Sequence, residues 1–143
     1  MTRQRAGDFS PQDWPNSRRH AHYKVRSETS LRLLAGVGGL SVIGTGDLAG
    51  NNLNVWWAAV VVTLLLAAGG CLGMSWSTFG HGERVLKSAM DKDSTLKDSA
   101  WVKGDRYDPE RGEALYRAGT ILIALAGACL VIAFWWSAVA TVA

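Results

Sequence analysis

Two long runs of apolar residues dominate the chain, at positions 55–74 and 118–142, and neither run contains a charged side chain. A helix of 20 residues rises about 30 Å, which matches the hydrocarbon thickness of a bilayer. Paired tryptophans stand at one end of each run, Trp56-Trp57 and Trp135-Trp136. Indole rings concentrate at membrane interfaces. The pattern therefore predicts two transmembrane helices.

A third apolar segment, at positions 31–48, is shorter and ambiguous. Its uncharged part lies between Arg32 and Asp47, a stretch of 14 residues that includes five glycines. That length is below the usual requirement for a spanning helix. Glycine is nevertheless common in membrane helices because it allows neighbouring backbones to approach closely. The segment therefore either crosses the membrane or forms a re-entrant or interfacial structure.

The distribution of basic residues favours crossing. Seven Lys or Arg residues precede position 33, none lies between 51 and 54, eight lie between 84 and 117, and none follows. If positions 33–48 cross the membrane, both basic stretches face the cytoplasm, as the positive-inside rule requires. We therefore predict an all-α integral membrane protein. It has three transmembrane helices, a cytoplasmic N-terminus and an external C-terminus.

This layout divides the chain into four parts. Residues 1–30 form a cytosolic tail and basic helix, 31–76 a transmembrane helical hairpin, 77–117 a cytosolic amphipathic connection, and 118–143 the third transmembrane helix. Gly80 and Gly82 are predicted to end the second helix, with a separate short amphipathic helix over 83–90. Asp108-Pro109-Glu110 is typical of a helix start and predicts that the third helix begins near Pro109.

Composition and motifs limit the chemistry. The formal net charge is only +3, which suits an anionic membrane surface better than a nucleic-acid polymer. No nucleophile elbow, P-loop or complete dinucleotide-binding motif is present. His20, His22 and His81 lack the spacing of a metal site. We therefore expect no enzyme activity, no catalytic residues, no cofactor and no metal.

Two sets of residues remain as candidates for binding. Small residues four apart allow close helix packing, either within the chain or in a homo-oligomer; they are Ala35, Gly39, Gly69, Gly73, Ala124 and Ala128. Basic side chains of the cytosolic connection are candidates for a phosphate-bearing ligand; they are Arg84, Lys87, Lys103, Arg106, Arg111 and Arg117. Acidic residues are interleaved with them, so a solvated face is the alternative.

The order of elements resembles a known family. A charged helix enters the first span through VRSETSLRLLAG at 25–36, and the last span is entered through YRAG at 116–119. This arrangement resembles the Pycsar-type transmembrane effectors, small bacterial antiphage membrane proteins. The resemblance implies that a cyclic nucleotide triggers damage to the inner membrane, and it assigns no residue to nucleotide binding. An accessory or scaffolding subunit of a larger membrane complex and a holin-like protein are the alternative functions.

Overall fold

The computed structural model describes residues 14–50, 55–100 and 109–142. Three long helices make up most of this part of the chain: α1 at Asn16–Gly50, α2 at Val55–Lys92 and α3 at Pro109–Val142. A 3-10 turn at Ser94–Lys97 follows α2. The expected all-α class is confirmed for the described residues, where the one β-type pairing is an isolated bridge between Pro15 and Ala100.

The three helices pack side by side with α2 in the middle. Helix α2 contacts α1 and α3 along most of its length, whereas α1 and α3 meet each other at few places. The buried positions of α2 recur alternately four and three residues apart, at Val61, Leu65, Ala68, Leu72, Ser75, Phe79, Gly82 and Leu86. This period is typical of helices that cross at a shallow angle and interlock their side chains.

Helix α3 presents small residues to α2 at intervals of seven. Its buried heptad positions are Gly112, Gly119, Ala126 and Ala133. The approach is closest at Gly119, where a Cβ atom would lie 2.7 Å from Leu72 Cγ. At Gly112 a Cβ atom would lie 3.2 Å from Phe79 Cζ. Glycine is therefore required at Gly119 by the approach of α2.

The prediction that Gly80 and Gly82 end the second helix is wrong. Helix α2 continues through both glycines to Lys92, so positions 83–90 belong to it rather than to a separate helix. Gly80 faces α1, where a Cβ atom would lie 3.4 Å from Ser27 Oγ, and Gly82 is buried. Each glycine weakens a helix by about 1 kcal/mol relative to alanine, and packing against the neighbouring helix offsets that cost.

The beginning of α1 is attached to the segment that follows α2. The Asn16 backbone N–H donates to the Ser99 carbonyl at 3.0 Å, and the Asn16 side-chain amide donates to the Leu96 carbonyl at 2.9 Å. The Pro15 carbonyl accepts from the N–H groups of Arg18 and Arg19, which closes the first turn of α1. The third helix begins at Pro109, as predicted. The predicted turn at 50–52 lies mostly outside the described residues.

Two helices are long and apolar enough to cross a membrane, over Trp56–Lys92 and Pro109–Trp136. Only 28% and 17% of their most apolar windows are buried within the protein. The core helix of a soluble domain buries most of such a window. Here large apolar side chains face outward, among them Trp56, Leu66, Phe134, Trp135 and Trp136. An apolar surface of this kind calls for an apolar environment.

Candidate functional site

A polar layer joins the three helices where the apolar part of the bundle ends. We use "polar layer" for Arg26 and Ser30 of α1, Ser75 of α2, and Gly112, Glu113, Tyr116 and Arg117 of α3. Ser30 and Ser75 are fully buried and their hydroxyl oxygens lie 3.4 Å apart. The Ser75 hydroxyl also donates to the Gly112 carbonyl at 3.0 Å. These two contacts connect all three helices at one level.

Glu113 is the charged centre of the polar layer. Its side chain is 6% exposed, and its Oε1 atom accepts from Arg26 at 2.8 Å. The same oxygen accepts from Arg117 Nε at 3.4 Å, one turn along α3. The other oxygen, Oε2, is buried and makes no hydrogen bond within the described part of the chain. A buried carboxylate is stable only when it is paired in this way.

Arg26 is the α1 side of this ion pair and is held by a second contact. Its guanidinium lies over the Tyr116 ring, 4.5 Å from the ring centroid, which is a favourable cation–π distance. Because α1 and α3 meet at few places, the contacts of Arg26 with Glu113 and Tyr116 are a principal link between these helices. Disrupting them would free α1 from α3 and leave both attached to α2.

An aromatic cluster lies on the polar side of this layer. Tyr23 and Phe79 are buried, with ring centroids 5.7 Å apart. The His22 ring makes edge contacts with Trp14 at 5.6 Å and with Phe79 at 6.2 Å. Trp14 also carries the Arg18 guanidinium over its ring at 4.3 Å. The cluster therefore packs the residues before α1 against the extension of α2 beyond the apolar region.

Burial lowers the pKa of His22 below its ordinary value, and the neighbouring Arg26 charge lowers it further, while Glu113 acts in the opposite direction. The folded state therefore binds a proton on this ring less readily than the unfolded chain, whose histidines titrate near pH 6.5. The neutral His22 ring therefore makes its full contribution to the free energy of unfolding above about pH 6.5. That contribution is lost as the pH falls from the pKa of the unfolded state toward the lower pKa of His22 in the folded state.

We therefore expect the thermal unfolding temperature in detergent micelles to fall from pH 7.5 to pH 5.5, partly because of His22. His22→Phe keeps an aromatic ring without a titrating group and should reduce this pH dependence. Ala21→Ser changes an exposed, non-titrating neighbour of His22 and should leave the pH dependence as in the wild type. Identical pH profiles for wild type and His22→Phe would contradict the assignment.

The basic residues predicted to bind a phosphate-bearing ligand do not form one cluster. Arg84 and Lys87 are exposed one turn apart on α2, and Arg111 is exposed on α3. Arg117 is bound to Glu113 in the polar layer. Lys103 and Arg106 lie outside the described residues. Within the described ranges no three His, Cys, Asp or Glu side chains are grouped in a way that could hold a metal ion.

The small residues predicted to pack helices have different environments. A Cβ atom on Gly69 would lie 3.8 Å from Leu34 Cδ1, so Gly69 lies at the α1–α2 contact. An added Cβ on Gly39 or Gly73 would meet nothing within 4 Å. Three others are exposed on the surface of one copy: Ala35, Ala124 and Ala128. Their use in self-association remains a prediction.

The polar layer was not identified from the sequence. Arg26 belongs to the predicted basic helix of residues 1–30 and Glu113 to the predicted connection 77–117, and no motif singles out either residue. One sequence signal points to this residue: Glu113 is the last acidic residue of the chain, four positions before Arg117 and five before the start of the uncharged run at 118. An acid at the edge of an apolar span calls for a partner. No protein-family model, curated protein or solved structure matches the chain.

Proposed function

We propose that the chain is a small effector of the bacterial inner membrane that impairs membrane integrity in response to a cytosolic signal. The observation that carries the proposal is the position of the polar layer. It links three helices at the level where their outward-facing apolar surface gives way to charged extensions. A signal that acts on the extensions can therefore change the packing of the helices inside the lipid.

The proposal places all three helices across the membrane. Helix α1 continues to Gly50 without interruption and runs beside α2, where Leu34 and Val37 lie near Gly69. Its last 18 residues, 33–50, have a length of about 27 Å, close to the hydrocarbon thickness. The Arg32 side chain, 82% exposed, can extend toward the interface. Contacts of α1 with Leu96 and Glu113 support one compartment for both basic stretches, and the positive-inside rule favours the cytoplasm.

In the resting state the Arg26–Glu113 pair holds α1 against α3. The resemblance to the Pycsar-type effectors supports a cyclic nucleotide as the signal. Its phosphate would compete for arginines near the polar layer, since Arg26 and Arg117 both bind a single carboxylate oxygen and arginine binds phosphate well. Release of the carboxylate then permits rearrangement or oligomerisation of the spanning helices.

The test is induced expression in a bacterium with a membrane-potential dye. We expect depolarisation when a cyclic nucleotide is supplied together with the protein, and a stable potential with either alone. Arg26→Gln with Glu113→Gln removes the ion pair and should depolarise cells without nucleotide. An unchanged potential under all of these conditions would contradict the effector function.

A second candidate function is an accessory subunit of a larger membrane complex. It is favoured by the small residues that face outward in one copy, Ala35, Gly39, Ala124 and Ala128, because such residues allow other membrane helices to pack closely. Purification in mild detergent discriminates between the two. A homo-oligomer is expected for the effector, whereas other proteins in fixed stoichiometry would support the subunit.

A further inference from the structure

One exposed stripe runs along the whole of α2, on the side away from α1 and α3. Its members are exposed and recur three or four residues apart: Trp56, Val60, Thr63, Ala67, Gly70, Met74, Ser77, His81, Arg84, Ser88 and Lys92. As far as Met74 the stripe is uncharged and faces the lipid of the proposed bilayer. From His81 onward the same stripe carries hydrogen-bond donors and positive charge.

The polar part of this stripe lines a shallow groove of about 570 Å³, formed by His81, Arg84, Val85, Ser88, Ala89 and Lys92. Three of these residues end in nitrogen donors and Ser88 ends in a hydroxyl. Among the residues that the structure describes, no carboxylate lines the groove, and Glu83 lies on the opposite side of the helix by its spacing. The groove is therefore complementary to an anion.

The conformation of Arg84 directs its charge toward the membrane boundary. Its Nε atom donates to the Gly80 carbonyl at 3.1 Å, so the side chain folds back along α2 toward the apolar region. Trp76 is an exposed indole just after the uncharged run 55–74, a position typical of a membrane interface, and Gly80 lies four residues, about 6 Å, beyond it. The headgroup region of each leaflet is about 5–8 Å deep. The guanidinium therefore reaches the level of the lipid phosphates.

We infer that this groove, centred on Arg84, binds the phosphate of an anionic phospholipid of the inner leaflet. A lipid whose acyl chains lie along the uncharged part of the stripe places its headgroup at His81 and Arg84. The terminal nitrogens of Arg84 have no protein acceptor within the described part of the chain. A bound lipid fixes the depth of α2 in the bilayer. This inference rests on the membrane insertion assumed in the proposed function.

The test uses the full-length protein in nanodiscs of phosphatidylcholine with an increasing fraction of phosphatidylglycerol, and native mass spectrometry counts the lipid retained. We expect selective retention of phosphatidylglycerol by the wild type. Arg84→Gln should weaken retention about fivefold, the effect of one cation near an anionic surface. Arg84→Lys should restore most of it.

Lys87→Gln is the matched control because Lys87 carries the same charge and is exposed one turn from Arg84 on α2 but does not line the groove, and it should change retention less than twofold. Equal retention by wild type and Arg84→Gln, with both resistant to carbonate extraction, would overturn the lipid site and leave the proposed function intact. Displacement of the lipid by inorganic phosphate or a soluble cyclic nucleotide would also overturn it, in favour of a free phosphate ligand. Extraction of the wild type by carbonate would instead contradict membrane insertion and with it the proposed function.

Discussion

Replacing Glu113 with glutamine is expected to lower the free energy of unfolding by about 2–3 kcal/mol. The substitution keeps the shape of the side chain and removes the charge that Arg26 and Arg117 share. Removing one partner of a fully buried ion pair costs about 3–5 kcal/mol, because the other charge stays buried. The Arg26 side chain is 29% exposed, so water reduces the penalty in this case.

Unfolding in mixed detergent micelles, followed by tryptophan fluorescence, measures this loss. Glu110→Gln is the control, since Glu110 is exposed one turn earlier on α3, and we expect a change below about 0.5 kcal/mol. Arg26→Gln combined with Glu113→Gln should cost less than the sum of the two single changes. Strict additivity would show that the two side chains do not act as a pair.

Gly119→Ala is expected to destabilise the protein by about 1–3 kcal/mol, the usual cost of adding a methyl group to a filled core. The new Cβ would lie 2.7 Å from Leu72 Cγ and 2.9 Å from Leu72 Cδ2. Ala68, one turn along α2, presents its carbonyl oxygen at 3.4 Å, so the backbone of α2 limits any movement. To remove this steric overlap, α3 must move away from α2 or Leu72 must change its rotamer.

Gly127→Ala, eight residues later on the same helix, is the control for Gly119→Ala. A Cβ atom at Gly127 meets nothing within 4 Å, so this change should be neutral or slightly stabilising, because alanine favours the helix. Both variants are measured by the same micelle unfolding experiment. Equal stabilities of the two variants would show that α2 and α3 do not approach closely at Gly119.

Local sequence signals located the helices well. Pro109, with its fixed φ and missing N–H, is suited to the first turn of a helix, and α3 begins there. The uncharged runs at 55–74 and 118–142 lie within α2 and α3, the two helices that are apolar and long enough to cross a membrane. These features depend on neighbouring residues in the chain, and sequence patterns report such features directly.

Contacts between helices were harder to anticipate. Gly80 and Gly82 predict a helix end because the helix propensity of glycine is low. Helix α2 nevertheless continues, since α1 packs against Gly80 through Ser27. The spacing of four residues predicts helix packing at Ala124 and Ala128. In the structure α3 instead packs against α2 through Gly112 and Gly119, which are seven residues apart. That choice depends on which face of α3 meets α2, and one helix alone does not specify it.

The polar layer illustrates the same difficulty. The separation of Arg26 from Glu113 is 87 positions, and each has oppositely charged residues closer in the chain. Arg26 and Glu113 meet because α1 and α3 each pack on α2 in a fixed register. The contacts of Ser75 with Ser30 and with the Gly112 carbonyl lie at the same level and reflect that register. A register set by tertiary packing leaves no local pattern in the sequence. The sequence shows that charged residues flank the apolar runs, but it does not show which of them form pairs.

Cysteine labelling tests most directly whether α1 crosses the bilayer and leaves both charged ends of the bundle in the cytoplasm. Cys71 and Cys129 are replaced by alanine, and single cysteines are placed at the exposed positions Ser17 and Thr95. A membrane-impermeant maleimide is then applied to inside-out vesicles and to intact spheroplasts. We expect both positions to react in inside-out vesicles and neither in spheroplasts. Reaction of Ser17→Cys and Thr95→Cys from opposite sides would contradict the three-span arrangement.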